Sequence, residues 1–274
     1  MAEETGIGWC DSTANLWWGC TKLTAACDNC YAESLVTTRL GGEWGPHADR
    51  HRVKAGWLLL EKFQRAAEKN GGIDPKLGRR RRIFINSLSD VGDNHHSIDS
   101  WRDEAWAAME RATHLDLILV TKRPQNLPKL VPPSWLTNWP KHIWLLTTTE
   151  NQEEFDRRVP WLMWLKAMAG VAIIGVSAEP LLGPIDPARG MLTLDIAAGI
   201  LSIGKFSPGL EKLRCLDWWI AGYESGGSKA RHGDLDWSRH HRDICAQSET
   251  AFFFKQTRNK GPIPDDLMVQ EFPA

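Results

Sequence analysis

Residues 83–88 read Ile83-Phe84-Ile85-Asn86-Ser87-Leu88, three apolar side chains in a row followed by an abrupt change to polar ones. A strand with one wet face alternates apolar and polar residues, whereas an unbroken apolar run suits a strand covered on both faces, as in parallel sheets flanked by helices. Similar runs recur at 117–121 (LILVT), 143–148 (IWLLTT), 171–177 (VAIIGVS), 217–222 (DWWIAG) and 251–254 (AFFF), and a further short strand is expected at 14–18. Helical stretches lie between them. Residues 57–69 stop at Asn70-Gly71-Gly72, and residues 101–114 place Trp101, Ala105, Ala108, Met109 and Ala112 on one face, with Ser97 or Ser100 as the cap. A helix after Asn151 should break or kink at Pro160, and residues 237–247 should turn Trp237, Ile244 and Cys245 inward. This alternation, joined by right-handed crossovers, predicts an α/β fold. We expect a full or partial parallel (β/α) barrel of TIM type, with a doubly wound open sheet as the alternative. The whole chain, 1–274, reads as one such domain, with a cysteine loop at 20–30 and an insertion at about 186–214 that breaks the rhythm.

Length and composition agree with this reading. The 274 residues are close to the roughly 250 of a single barrel. Hydrophobic residues make up 42% and charged residues 24%, and no stretch approaches the ~20 apolar residues that span a bilayer, so no membrane partner is expected. The N-terminal MAEETGIGW is acidic and lacks an apolar signal region, which points to the cytoplasm. A net charge of -1 excludes binding to nucleic acid through overall charge alone. A nucleic-acid substrate is still suggested by the basic run Lys76–Arg82 (KLGRRRR) and by fifteen tryptophans able to stack on bases. The plainer explanations are a solvated loop and core packing. His95-His96 and His240-His241 could ligate a metal, but adjacent histidines point differently on a helix and surface or capping roles suit them better, and Cys215 and Cys245 read as buried free thiols.

Polar residues gather where each apolar run ends, which is where α/β barrels assemble their active sites. They are Asn86, Ser87 and Asp90, then Lys122 and Arg123, Glu150 and Asn151, Glu179, Glu224, and finally Lys255 and Gln256. Every strand must end in something polar, so each member alone is equally well a cap or a salt bridge. Their repetition over five strands favours one shared pocket. The segment Gly222-Tyr223-Glu224-Ser225-Gly226-Gly227 suits either close backbone approach to a ligand or a tight turn.

Cys20-x6-Cys27-x2-Cys30 follows the first short strand and precedes Tyr31-Ala32-Glu33, which opens a helix. Three thiolates can hold a 4Fe-4S cluster and leave one iron open to a small molecule, whereas a structural zinc site takes four protein ligands. The count favours the open cluster. The alternative from another class is a non-enzymatic, zinc-stapled nucleic-acid- or protein-binding protein in which Cys10 joins Cys20, Cys27 and Cys30.

Several motifs extend the pattern. They include Trp9-x-Asp11-x-Thr13-x-Asn15, Gly19-Cys20, Cys27-x2-Cys30-Tyr31-Ala32-Glu33, Asn86-Ser87-x2-Asp90 and Leu119-x-Thr121-Lys122-Arg123-Pro124. Glu150-Asn151, Ser177-x-Glu179-Pro180-Leu181-Leu182-Gly183-Pro184, Gly222-x-Glu224-Ser225-Gly226 and Phe254-Lys255-Gln256 complete the set. With these the chain resembles the phage-associated three-cysteine-motif family, a divergent radical S-adenosylmethionine-like group of unknown reaction. It departs from that pattern at Cys10, Ala14 and Leu16, and from the best-known radical enzymes in having six residues between the first two cysteines and Asn29 before the third.

The resemblance implies a barrel as in radical S-adenosylmethionine enzymes, with the cluster on Cys20, Cys27 and Cys30. It also implies S-adenosylmethionine as cofactor, an electron donor, and a three-cysteine-motif partner protein. The location would be the host cytoplasm if the protein is phage-encoded. Under that reading Asn86, Ser87, Asp90 and Glu150 are candidates to bind the cofactor, and Lys122 and Arg123 to bind substrate. Glu179, Glu224 and Lys255 are the candidate catalytic groups.

Overall fold

In the computed structural model, which describes residues 3–187, 193–195, 200–202 and 215–274, Ile83, Phe84 and Ile85 are buried in a parallel sheet, as their unbroken apolar run demands. The chain forms two units, one of residues 1–145 with 169–172 and the other of residues 146–168 with 173–274. The first unit carries β1 (Ser12–Ala14), β2 (Trp17–Trp18), α1 (Tyr31–Arg39), β3 (His51–Arg52), α2 (Lys54–Lys69) and β4 (Arg81–Ile85). It continues with α3 (Asp99–Arg111), β5 (Leu115–Thr121), the single turn α4 (Leu127–Leu130) and the start of β6 (Ile143–Thr148). The second carries α5 (Gln152–Ala169), β7 (Ile174–Ala178), β8 (Thr193–Asp195), β9 (Ile200–Ser202), β10 (Trp218–Gly222), α6 (Leu235–Ser248) and β11 (Ala251–Gln256).

The main sheet runs β1-β4-β5-β6-β7-β10-β11, and the pairs β1–β4, β4–β5, β7–β10 and β10–β11 are all parallel. A doubly wound sheet reverses its strand order at a switch point, and this order never turns back, so the winding is that of a parallel barrel. Closure is not complete among the described residues, because β1 and β11 stand at the two ends of the order. The expected strand at 14–18 divides into β1 and β2, and β2 pairs with β3 in antiparallel fashion. β4 ends at Ile85 because Asn86 takes a left-handed φ of 60°, which no strand can continue. The insertion expected at 186–214 lies largely outside the described residues, its described part including the antiparallel pair β8–β9.

The helices follow their apolar faces more closely than their expected caps. α2 stops at Lys69, where Gly71 and Gly72 adopt φ of 69° and 89°. It also needs Gly56, since a Cβ there would sit 1.9 Å from the Asn15 carbonyl oxygen. α3 buries Ala105, Trp106 and Met109 but starts at Asp99, and Ile98 rather than a serine occupies the cap. The expected break at Pro160 does not occur: α5 runs through it, with Phe155, Val159, Leu162 and Leu165 buried on both sides. One lost donor costs less than exposing that face. In α6, Ile244 and Cys245 are buried as expected, Trp237 is half-buried, and His241 is fully buried rather than superficial. Cys215 is exposed, contrary to expectation, while Cys245 is buried.

Packing resolves the two features that suggested nucleic acid. Trp9, Trp17, Trp57, Trp106, Trp135, Trp139, Trp144, Trp218 and Trp219 are buried, and no tryptophan is among the strongly exposed apolar side chains of the described residues. Three arginines of the basic run are paired, two of them on partly exposed side chains. Arg79 grips Asp11 at 2.7 and 2.8 Å, Arg80 meets Asp116 at 2.6 Å, and buried Arg81 meets Asp74 at 2.6 Å. These pairs sit at the N-terminal ends of β4 and β5, opposite Asn86 and Thr121. No helix among the described residues is long and apolar enough to cross a membrane.

Candidate functional site

The cysteine segment of the first unit is fastened to the C-terminal ends of β4 and β5 at several points. Gly19 forms a parallel bridge with Ser89, and its amide donates to the Leu88 carbonyl at 3.1 Å. Its φ of 106° and the Arg50 side chain, 3.0 Å from where a Cβ would lie, require glycine here. Cys20 follows directly. Cys27 ends a short turn, its amide donating to the Thr24 carbonyl at 2.8 Å, and Cys30 is the N-cap of α1. The next residue, Tyr31, donates its hydroxyl to the Ser87 carbonyl at 2.7 Å and so pins the start of α1 beside β4. All three cysteines are free; Cys27 and Cys30 are half-exposed, while the thiol of Cys20 is buried.

Cys20 has a built surrounding. Arg123 Nη1 lies 3.5 Å from its Sγ, and Arg123 Nη2 donates to the neighbouring Thr21 carbonyl at 2.8 Å. Asp90 holds that guanidinium at 2.9 Å and also accepts from Thr121 Oγ1 and from the amides of Lys122 and Gly92. Burial alone would raise the Asp90 pKa, but Arg123 and these donors outweigh it and hold the carboxyl below its ordinary range. Burial, reinforced by Asp90, pushes the Cys20 thiol up to about 11, with Arg123 working in the opposite direction. Ligation to a metal would therefore displace a proton from Cys20. Asp90 and Arg123, expected to meet cofactor and substrate, lie together beside Cys20. Lys122 is half-buried beside them.

A second network lies at the end of β4. Asn86 accepts the Leu16 amide at 2.7 Å, while its own buried Nδ2 has no hydrogen-bond partner. Ser87 Oγ is half-buried beside Asn15. A buried donor left over at the end of β4 fits a site that receives a polar ligand. Cys10 is elsewhere. It precedes β1 and donates towards the Ile7 carbonyl at 3.8 Å, so about 10 Å of β1 separates its level from the cysteine loop. Cys10, Cys20, Cys27 and Cys30 do not form a close ligand cluster among the described residues.

In the second unit the polar strand ends fall into three ion pairs. Glu150, expected to touch the cofactor, has no exposed surface and lies 2.9 Å from Arg158 Nη1, whose other branch is 2.6 Å from Glu154. Glu224 pairs with Arg231 and accepts its amide at 2.7 Å, while Gly226 and Gly227 donate to Asn259 Oδ1. The glycine segment is thus a self-contained turn that organises Glu224. Glu179 and Lys255 are 2.8 Å apart with 13% and 22% of their side chains exposed, unlike the sealed Glu150–Arg158 pair. Gly222 lies beneath them, where a Cβ would be 2.9 Å from Glu179 Oε1 and 3.4 Å from Lys255 Cβ.

Sequence reasoning overlooked Arg50. Its side chain is fully buried, bonding Asp93 at 2.8 Å, the Gly45 and Ala48 carbonyls, and Thr21 Oγ1 at 2.8 Å. No local pattern marks such a residue, because its partners come from three separate segments.

The chain belongs to the family described as "Protein of unknown function (DUF5131)", whose model matches residues 4–264. No curated protein and no solved structure matches it.

Proposed function

We propose that this member of the family is a radical S-adenosylmethionine-like iron-sulfur enzyme with a partial parallel barrel, its cluster held by Cys20, Cys27 and Cys30. One observation carries the reading: three free cysteines share a segment fastened to the C-terminal ends of β4 and β5, with a guanidinium donor on one of them. A thiolate set of this kind suits iron and sulfide, and an N–H donor beside a ligand sulfur tunes reduction potential. The start of α1 at Cys30 favours negative charge there. When bound, the cluster supplies the electron for reductive cleavage of S-adenosylmethionine and thereby the means of abstracting hydrogen from a substrate.

The chain's own residues take distinct parts. Arg123, oriented by Asp90, stabilises charge at Cys20. Asn86 Nδ2 and Ser87 Oγ offer polar contacts to the ribose or methionine end of S-adenosylmethionine. In the second unit, Glu179 and Lys255 are the groups for substrate, because they keep exposure while Glu150 does not. Lys255→Met should keep its iron, sulfide and uncoupled formation of 5′-deoxyadenosine. Loss of the cluster in that variant would remove Lys255 from the substrate side.

Anaerobic purification and reconstitution, followed by iron, sulfide and zinc analysis, tests the centre. Addition of dithionite and S-adenosylmethionine should then yield 5′-deoxyadenosine in the wild type and none in Cys20→Ser, Cys27→Ser or Cys30→Ser. One zinc ion in place of iron and sulfide, or no cleavage by a fully reconstituted protein, would sink the reading.

A further inference from the structure

Asp49, His95 and His96 each offer one ligand atom, and these atoms all lie within 4.8 Å of one another. They belong to the first unit and come from two segments about 46 residues apart in sequence. Neither these histidines nor Asp49 takes part in the proposed cluster centre. An ion pair does not account for the convergence: His96 Nε2 and Asp49 Oδ1 are 4.0 Å apart on side chains 82% and 72% exposed, a contact that contributes almost nothing in water.

The surroundings are ordered in the way a ligand set requires. His95 Nδ1 is 3.3 Å from the donating Ser97 amide and 2.8 Å from Ser97 Oγ, which orients the ring and leaves Nε2 for a ligand. Ser97 Oγ in turn accepts the Arg50 amide at 2.9 Å, adjacent to Asp49. Arg50 is anchored in the interior by Asp93 and by two carbonyls. The His96–Ile98 turn then brings His96 beside His95, ring centroids 4.4 Å apart, on the side of Asp49. Two imidazoles and one carboxylate choose zinc-like transition cations over calcium or magnesium, which prefer sets made of oxygen alone.

We infer that Asp49, His95 and His96 form a surface binding site for a divalent transition cation of the zinc class, separate from the cysteine centre. A cation there clamps the segment around Arg50 to the segment before α3. Arg50 carries the restraint to the cysteine loop through its hydrogen bond to Thr21. The inference stands whether or not the cysteines hold a cluster.

Titration of the full-length, chelator-treated protein with cobalt(II) under reducing conditions tests it. Cobalt on thiolates absorbs strongly in the near ultraviolet, whereas cobalt on nitrogen and oxygen ligands gives only weak visible bands. The wild type should show a cobalt population with weak bands only, displaced by zinc and not by magnesium. Asp49→Asn and His96→Ala change exposed side chains, and each should weaken that population at least about tenfold while leaving any thiolate band intact. His95→Gln should do the same. Absence of the weak-band population in the wild type, or unchanged affinity in both Asp49→Asn and His96→Ala, would overturn the site.

Discussion

Arg123 and Arg158 are each buried beside a carboxylate that follows a parallel strand, yet only Arg123 also reaches a thiol. Arg158 is set among Glu150, Glu154 and the Thr148 carbonyl, so its charge is neutralised within the second unit and does nothing beyond it. Arg123 divides its guanidinium between Asp90, the Thr21 carbonyl and Cys20. Asp90 has three further donors besides Arg123, and the Glu150 carboxylate lies 2.9 Å from Arg158. The lesson is that a buried ion pair marks function only when one partner has capacity left for a reactive group.

The largest expected effect separates the two arginines by stability. Arg158→Met removes from buried Glu150 the guanidinium 2.9 Å away and leaves Glu154 only the half-exposed Arg157, and should cost about 3–5 kcal/mol in denaturant unfolding. Arg123→Met should cost clearly less, since Asp90 keeps its Thr121, Lys122 and Gly92 donors. Equal losses would dissolve the contrast.

A second comparison uses pH. Burial in the second unit pushes His241 down to about 3 from 6.5, with its Nε2 bonded to the Ile185 carbonyl at 3.0 Å. The unfolded chain takes up a proton below pH 6.5 that the folded chain refuses, so His241 subtracts stability progressively as pH falls towards 3. Between pH 6.5 and 5, before carboxylates contribute, the slope should reach about 1 kcal/mol per pH unit. His241→Asn should flatten it; an unchanged slope in that variant would place the proton uptake elsewhere.

The smallest effect is confined to the first unit and depends on the cluster. Arg123→Met removes one N–H donor and one positive charge from the neighbourhood of Cys20, which disfavours the reduced cluster. The reduction potential should become more negative by roughly 40 mV, the equivalent of about 1 kcal/mol for one electron. A redox titration monitored by electron paramagnetic resonance reads this directly, and an unmoved potential would show that the contact has no influence on the centre.

Much of this was readable from the chain because short-range chemistry controlled it. Ile83–Ile85, Leu117–Leu119 and Ile143–Leu146 had to be buried strands because they leave no polar face. Asn70-Gly71-Gly72 had to end a helix because only glycine accepts the required φ readily. Where sequence reasoning went astray, a distant partner had changed the balance. The arginines at 79–81 read as a solvated loop or a nucleic-acid patch, and nothing local announced that Asp11, Asp74 and Asp116 would pair with them from elsewhere in the chain. Pro160 resembled a helix break until the buried face of α5 outweighed one missing donor.

By itself the sequence determined the parallel strands, their polar C-terminal ends and the spacing of Cys20, Cys27 and Cys30, because periodicity and residue type act locally. Only the tertiary structure decided which polar residue serves which purpose. Glu150 was buried and Glu179 stayed partly exposed, Arg123 turned to Cys20, and Asp49 met His95 and His96, because desolvation and ion pairing depend on side chains brought together from distant segments.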